Sequence, residues 1–194
     1  LHTLRCLSQL GPLDRLTCLQ LGYNPLQGPG VLLHGMRSAG QRLVHLDLTS
    51  IGLTSLAPWA EWMQHAPLLE QVVVRDNQSL EGLPGVCALP QRMTYFDCGS
   101  CGLSEVPEGL TRLTNLRHLV LEDNALETLP MWLSELKQLE VLDVWRCRLP
   151  HAQAAKVLGC MPALKQARRD RSTLYHMPGS LTHLEVSQEQ VFTR

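Results

Sequence analysis

The sequence predicts an α/β solenoid, a single domain of about seven to eight coils that each add one short strand to a continuous parallel sheet. Two observations carry this prediction. Leucine fills 39 of the 194 positions, against one isoleucine and two phenylalanines, whereas ordinary domains spread their apolar positions over several residue types. The leucines also recur at fixed intervals, so the same structural position is filled again and again.

Six segments repeat one pattern, with apolar residues at positions 1, 4, 6 and 11 and asparagine or a substitute at position 9. The segment at Leu116, for example, reads LRHLVLEDNAL. The six starts give intervals of 27, 26, 24, 23 and 23 residues and are Leu16, Leu43, Leu69, Met93, Leu116 and Leu139. Weaker copies begin at Leu164 and, after only 17 residues, at Leu181. Periods of this length are typical of repeat architectures.

The pattern resembles the leucine-rich-repeat family, whose signature is LxxLxLxxNxL. The resemblance implies a right-handed superhelix with a concave parallel sheet and helices or 3-10 turns on its convex side. The physics agrees, because the xLxL portion alternates inward and outward as a strand does. Asparagine at position 9 is expected to turn inward and satisfy backbone groups of the turn. Each coil then buries its leucines only against the next coil.

The linkers between the strands fall into two kinds. The first two carry apolar residues at helical spacing, which predicts helices of the longer, ribonuclease-inhibitor-like repeats: Val31, Leu32, Leu33 and Met36, then Leu56, Trp59, Trp62 and Met63. The third, EGLPGVCALPQR, is predicted to be irregular. Later linkers match the LPxxLxxLxx form of 23-residue repeats, with Pro107 and Pro130 where a helical or 3-10 turn would begin.

We predict one leucine-rich-repeat domain over residues 1–194. It comprises a partial coil at 1–15, six regular repeats at 16–163 and degenerate C-terminal repeats or a cap at 164–194. Leu1–Leu4 align with position 11 of a repeat, so the chain is expected to begin within a coil. The interval of 17 residues before Leu181 leaves two hypotheses, a collapsed seventh coil or residues absent from the sequence.

Composition and charge exclude several classes of protein. A formal net charge of −1 gives no global attraction to nucleic acid or to anionic membranes. Charged residues make up 18% and apolar residues 44%, which excludes a disordered chain. Seven scattered cysteines are an odd number and form no disulfide framework, which favours a reducing, intracellular and cytoplasmic location.

Candidate chemistry is sparse. Cys98 and Cys101 form a CxxC motif, which could indicate a metal or redox site, but the repeat places both at inward positions, so a structural role is favoured. Three aspartates at position 5 lie about two strands, ~10 Å, apart, too far for a shared acid–base pair: Asp47, Asp97 and Asp143. We therefore expect no enzymatic activity, metal, cofactor or small-molecule substrate.

The remaining information about function lies in the outward-facing side chains at repeat positions 3, 5, 7 and 8. Acidic and aromatic residues occupy the central coils, and aromatic and basic residues the last ones. The candidate partner-binding residues are Tyr95, Asp97, His118, Glu122, Asp143, Trp145, Arg146, Arg168 and Arg171. Trp145 beside Arg146 has the composition of a binding hot spot, or else Trp145 merely covers the C-terminal end of the sheet. The other tryptophans are expected in the core or on the back face: Trp59, Trp62 and Trp132.

Three hypotheses of function follow. The first is non-catalytic protein recognition, as a scaffold or structural subunit of a larger intracellular assembly, through the concave face. The second is the substrate-recognition arm of a larger enzyme, because MPGSLTHLEVSQEQV resembles the PxSLxxLxVxxN repeats of bacterial ubiquitin ligases. The third is an RNA-associated subunit that uses the basic cluster Lys165–Arg171. No membrane partner is expected.

Overall fold

A computed structural model of the chain describes residues 15–24, 39–80, 82–170 and the backbone of 183–187. These residues contain one eight-stranded sheet in which neighbours along the chain are neighbours in space and all pairs are parallel. The solenoid predicted from the repeats is confirmed. The strands are β1 (Cys18–Gln20), β2 (His45–Asp47), β3 (Gln71–Val73), β4 (Tyr95–Asp97), β5 (His118–Val120), β6 (Val141–Asp143), β7 (Gln166–Asp170) and β8 (His183–Ser187).

The strands pair in repeat register, so equal positions of successive coils lie side by side. Tyr95 is paired with His118, and His118 with Val141. The register continues from Gln166 to His183, where only 17 residues separate the partners. A spacing of 17 residues is therefore sufficient for the chain to add another strand to the sheet. The connecting residues 171–182 lie outside the described part. The predicted partial coil at 1–15 lies outside it too, except for Arg15.

The core is the inward side of the coils. Leucines at positions 4 and 6 are buried, and Leu46, Leu48, Leu119 and Leu121 are completely so. Each of the strands β1 to β6 is followed by a residue at position 8 with φ between 52° and 60°, which turns position 9 inward: Tyr23, Ser50, Asp76, Ser100, Asp123 and Arg146. Serine and aspartate tolerate this left-handed conformation better than larger side chains do.

Helical segments form the convex side. The α-helices are α1 (Ala57–Met63) and α2 (His151–Gly159), and the 3-10 helices are η1 (Ala39–Arg42), η2 (Val86–Ala88), η3 (Glu108–Arg112) and η4 (Met131–Glu135). Helix α1 confirms the helix predicted for the second linker. Pro107 and Pro130 directly precede η3 and η4, as predicted. The helix predicted around Val31–Met36 lies outside the described residues.

The third linker differs from the irregular segment predicted, because it forms one 3-10 turn. Gly85 caps η2 with φ 93°, a left-handed conformation that favours glycine. A Cβ atom at Gly85 would lie 2.5 Å from the Cα of Ala57, so the same glycine also lets η2 approach α1. Local backbone freedom and close packing together turn a Pro- and Gly-rich stretch into a defined element.

The tryptophans of the convex side pack as predicted. Trp59 and Trp62 are buried and meet edge to face with ring centroids 6.3 Å apart. Trp132 is half-buried against the same core. None of the helices in the described part of the chain combines the length and apolar character needed to cross a membrane.

Candidate functional site

The concave face consists of the outward side chains at positions 3, 5, 7 and 8 of the coils. Its centre holds three half-buried residues at position 3 of adjacent strands, Tyr95, His118 and Val141, which we call the apolar strip. The rings of Tyr95 and His118 lie 5.9 Å apart, centroid to centroid, tilted by 45°. The strip therefore offers a continuous, partly exposed apolar surface across three strands.

Beside the strip, five side chains form a charge network: Arg75, Asp97, Glu122, Asp143 and Arg168. Glu122 accepts hydrogen bonds from Arg75 and, at 2.8 Å, from Nη1 of Arg168. The same Nη1 donates to Asp143 at 3.1 Å. Nη1 of Arg75 lies 3.9 Å from Oδ2 of Asp97. The network thus runs from the coil of β3 to the coil of β7.

The three carboxylates of the charge network are buried, and the two aspartates are held by backbone as well as by arginine. Asp97 accepts a hydrogen bond from the Gly99 N–H at 2.9 Å, and Asp143 accepts one from the Trp145 N–H at 3.0 Å. Asp47 makes the same contact to Thr49. An aspartate at position 5 therefore holds the turn after its strand, in the manner of a local side-chain turn.

Burial raises the pKa of Asp97 and of Asp143, because a desolvated carboxylate is less stable than a solvated one. The backbone N–H donors and the arginines oppose this rise without cancelling it. Burial also raises the pKa of Tyr95, and the nearby charge of Asp97 adds to that effect. The middle of the concave face is thus a region of partly desolvated negative charge.

Gly99 makes the link between Arg75 and Glu122 possible. A Cβ atom at Gly99 would lie 2.9 Å from Nη1 of Arg75 and 3.2 Å from Cγ of Glu122. The absence of a side chain lets Arg75 reach across one complete coil to Glu122. Sequence reasoning did not select Arg75. The available signal was the order Arg75, Gly99, Glu122 at position 7 of three successive coils.

Trp145 lies at the C-terminal side of the charge network. The guanidinium carbons of Arg146 and Arg168 lie 4.4 Å and 4.2 Å from the centroid of its ring system, within the range of cation–π attraction. Trp145 is half-buried, and its buried Nε1 has no hydrogen-bond partner among the described residues. The ring is therefore a packing platform for two arginines of its own chain as well as a surface residue.

Comparison with known proteins shows which solved structures share this architecture. No protein-family model and no curated protein matches the sequence. Solved structures do match, among them an internalin from Listeria monocytogenes with 17% identity and TM-score 0.60, over 94% of this chain and 46% of that one. An LRR protein from Leptospira interrogans follows with 19% identity and TM-score 0.59, over 78% and 36%. The fold of the chain is therefore that of a leucine-rich-repeat solenoid.

A second internalin from Listeria monocytogenes, internalin C2, agrees, with 20% identity and TM-score 0.58 over 82% of this chain and 65% of that one. The chain spans less than two thirds of each of the three matched structures. At these identities the likeness concerns the fold alone. The residues of the concave face must therefore be interpreted from their own geometry.

The cysteines of the leucine-rich-repeat register have structural contacts. Cys98 and Cys101 are buried, and burial raises the pKa of Cys98 well above its ordinary value and that of Cys101 to about 11. The thiol of Cys101 donates to the carbonyl of Val74 at 3.2 Å, in the place of the ladder asparagine. Within the described residues no three His, Cys, Asp or Glu side chains are grouped so that they could hold a metal ion.

The structure thus brings the predicted site residues into three adjoining groups. Tyr95 and His118 belong to the apolar strip. Asp97, Glu122, Asp143 and Arg168 join Arg75 in the charge network, while Trp145 and Arg146 stack beside it. Arg171 lies outside the described residues. The pairings within the charge network were missed by sequence reasoning because each position was considered as a column, without the reach of a long side chain across coils.

Proposed function

We propose that this leucine-rich-repeat chain is a non-catalytic protein-binding module, a scaffold or structural subunit of a larger assembly, and that it binds its partner through the concave face. The observation that carries the proposal is the apolar strip, which is partly exposed and bordered by immobilised charges. No disulfide joins any of the six cysteines in the described part, which supports an intracellular setting as part of the same proposal.

The geometry favours binding because the surface is organised before a partner arrives. Long side chains such as Arg75 and Arg168 normally lose conformational freedom on association, at roughly 0.5–1.5 kcal/mol for each. Here both are already held by Glu122. Half-buried Val73 and Val120 extend the apolar strip, so that a partner can remove further apolar surface from water.

The proposed contacts differ in role. Tyr95, His118 and Trp145 would supply the central contact area, since aromatic residues dominate interface hot spots. Arg146 is exposed and would form the rim with Arg168. The remaining proposed residues are Asp97, Glu122 and Asp143, which would hold the surface and present carboxylate oxygens, and Arg171.

The two other hypotheses receive less support. An RNA-associated role needs cations that are available to phosphate, but Arg168 is bonded to Glu122 and Asp143 and Lys165 is paired with Glu140. The ubiquitin-ligase hypothesis depends on a segment at 177–191 of which only the strand backbone 183–187 is described. Nothing in the described residues favours it over plain recognition.

Site-directed photocrosslinking tests the proposal. A benzoylphenylalanine replacing Val141, on the apolar strip, is expected to crosslink a protein in extracts of the native source. The same replacement at Glu108, an exposed residue of η3, is the matched control and should not crosslink that protein. Tyr95→Ala should abolish the Val141 crosslink while far-UV circular dichroism stays unchanged. Crosslinking at Glu108 alone would place the interface on the convex side and contradict the proposal.

A quantitative test uses the identified partner. Trp145→Ala is expected to weaken binding by about 2 kcal/mol, because it removes the ring and releases both arginines that stack on it. Trp145→Phe keeps a ring for stacking and should lose less. If both variants bind the partner as tightly as the unmodified chain does, Trp145 is not part of the binding surface.

A further inference from the structure

The concave face carries more negative charge than the chain as a whole. Among its side chains that the structure describes, six are carboxylates and three are guanidiniums, whereas the full sequence is nearly balanced, with 18 acidic against 17 basic residues. The acidic residues are Asp47, Asp76, Asp97, Glu122, Asp123 and Asp143, and the basic ones are Arg75, Arg146 and Arg168. The excess of acid is therefore a property of this face.

Several of these carboxylates lack a close cation within the described part of the chain. Asp47 is bonded to the backbone and hydroxyl of Thr49, and exposed Asp123 accepts a hydrogen bond from the Ser100 hydroxyl at 3.0 Å. Asp97 has an arginine only at 3.9 Å. Both guanidiniums of the charge network bond to Glu122 instead, so the pairing of Asp97 with Arg75 is weak.

Aromatic surface lies next to this weakly paired carboxylate. Tyr95 and Asp97 are two residues apart on one strand, so both side chains project from the same side of the sheet, ~7 Å apart. The ring of His118 contacts that of Tyr95 within the strip. An aromatic face beside a carboxylate offers a cationic side chain two favourable interactions. One is the cation–π attraction to the ring, and the other is the ion pair with the carboxylate.

We propose that the concave face takes a basic segment of a protein partner, with an arginine or lysine of that segment lying over Tyr95 and paired with Asp97. This inference rests on the proposed protein-binding function and adds the chemistry of the partner. Asp123, one coil after Asp97, and Asp47, two coils before it, would receive further basic side chains. The charge excess of the face would then be neutralised on binding, and opposite charges would speed the encounter.

The experiment selects ligands directly from a random library, so the partner need not be identified first. The full chain is immobilised, and random peptides displayed on phage are selected against it at low and at physiological ionic strength. Enriched sequences should be rich in arginine and lysine, and the synthetic peptides should bind more weakly as salt is added, because exposed charges are screened.

Variants connect the selected peptides to the face. Asp97→Asn is expected to weaken their binding about tenfold or more, because it removes the carboxylate charge that would accept a hydrogen bond from the peptide cation. Asp123→Asn, an exposed change that leaves the core untouched, should weaken it less but measurably. The control Glu108→Gln with Glu127→Gln removes two exposed carboxylates outside the face and should leave binding unchanged, with thermal melting used to verify folding of every variant.

The outcomes separate this inference from the proposed function. Selection of acidic or uncharged peptides whose binding is lost in Tyr95→Ala would overturn the basic-partner inference and leave concave-face recognition standing. Peptide binding that no concave-face variant alters would contradict the proposed function itself. Tighter binding of an oligouridine RNA than of any selected peptide would also overturn the inference, as would equal losses in the Asp97 variant and in the Glu108/Glu127 control.

Discussion

The residue at position 9 determines how well each turn is hydrogen-bonded. Asn124 donates from Nδ2 to the carbonyls of Cys98 at 2.9 Å and Leu121 at 2.8 Å. Its Oδ1 accepts from the N–H groups of Cys101 at 3.1 Å and Leu103 at 2.9 Å. A cysteine at the same position can donate weakly but offers no comparable acceptor. Replacing the position-9 residue by alanine should therefore cost more stability in a coil that has asparagine there than in a coil that has cysteine.

Asn124→Ala is expected to lower the free energy of unfolding by about 2–4 kcal/mol, since buried N–H and C=O groups on two coils lose their partners. Cys101→Ala should cost only about 1 kcal/mol, because a weak S–H donor is removed. Urea unfolding followed by circular dichroism measures both. Asn115→Ala removes an exposed asparagine and should be nearly neutral. Losses in Asn124→Ala no larger than in Cys101→Ala would contradict this account.

Asp97 makes stability depend on pH. Burial raises its pKa in the folded chain, so the folded state binds a proton more readily than the unfolded state does. Relative to Asp97→Asn, the unmodified chain should therefore gain stability as pH falls through the raised pKa. That gain should be complete below the ordinary carboxyl pKa and lost again as pH rises to neutrality. Urea midpoints of both proteins from mildly acidic to neutral pH measure the difference, and a constant difference would contradict the shift.

Glycine also allows the close contact between η2 and η3 on the convex side. A Cβ atom at Gly109 of η3 would lie 2.6 Å from Cγ1 of Val86 and 3.0 Å from the backbone N of Cys87 in η2. The backbone of Cys87 cannot move aside to make room for an added methyl group, as a flexible side chain could. By contrast, within the described part of the chain no atom lies within 4 Å of such a Cβ at Gly159, at the end of α2. These two positions give a matched pair for the same substitution.

Gly109→Ala is expected to destabilise the chain by about 1–3 kcal/mol, because the added methyl overpacks the contact between η2 and η3. Gly159→Ala should stabilise it by about 0.5–1 kcal/mol, because alanine loses less backbone entropy in a helix. Thermal melting under identical conditions compares them. The packing argument fails if both changes shift the melting temperature in the same direction.

The elements themselves could be predicted from the sequence because each depends on local, repeated information. Leucine spacing indicated the strands, and Pro107 and Pro130 marked the starts of two 3-10 helices. The turn η2 escaped prediction because it depends on how closely Gly85 approaches Ala57 in another coil. The charge network escaped for a similar reason: Arg75 bonds to Glu122 two coils away, and only contacts between successive coils follow directly from a repeat.

At the scale of the whole molecule, the charge network adds couplings that a simple solenoid lacks. In a repeat array each coil normally contacts only its neighbours, so stability is a sum of coil and nearest-neighbour contributions. Glu122 instead receives Arg75 from the coil of β3 and Arg168 from the coil of β7. One carboxylate thereby joins coils that lie two positions away on either side.

Glu122→Gln is therefore expected to loosen several coils at once. The change should lower the free energy of unfolding by about 2 kcal/mol, the usual cost of losing hydrogen bonds to a charged group. Amide hydrogen exchange should accelerate from β3 through β7, because both arginines are released. Glu140→Gln is the matched control, since Glu140 pairs with Arg117 and Lys165 at the exposed edge, where ion pairs contribute little. Faster exchange confined to β5 and its two neighbours would show that the coupling does not extend beyond adjacent coils.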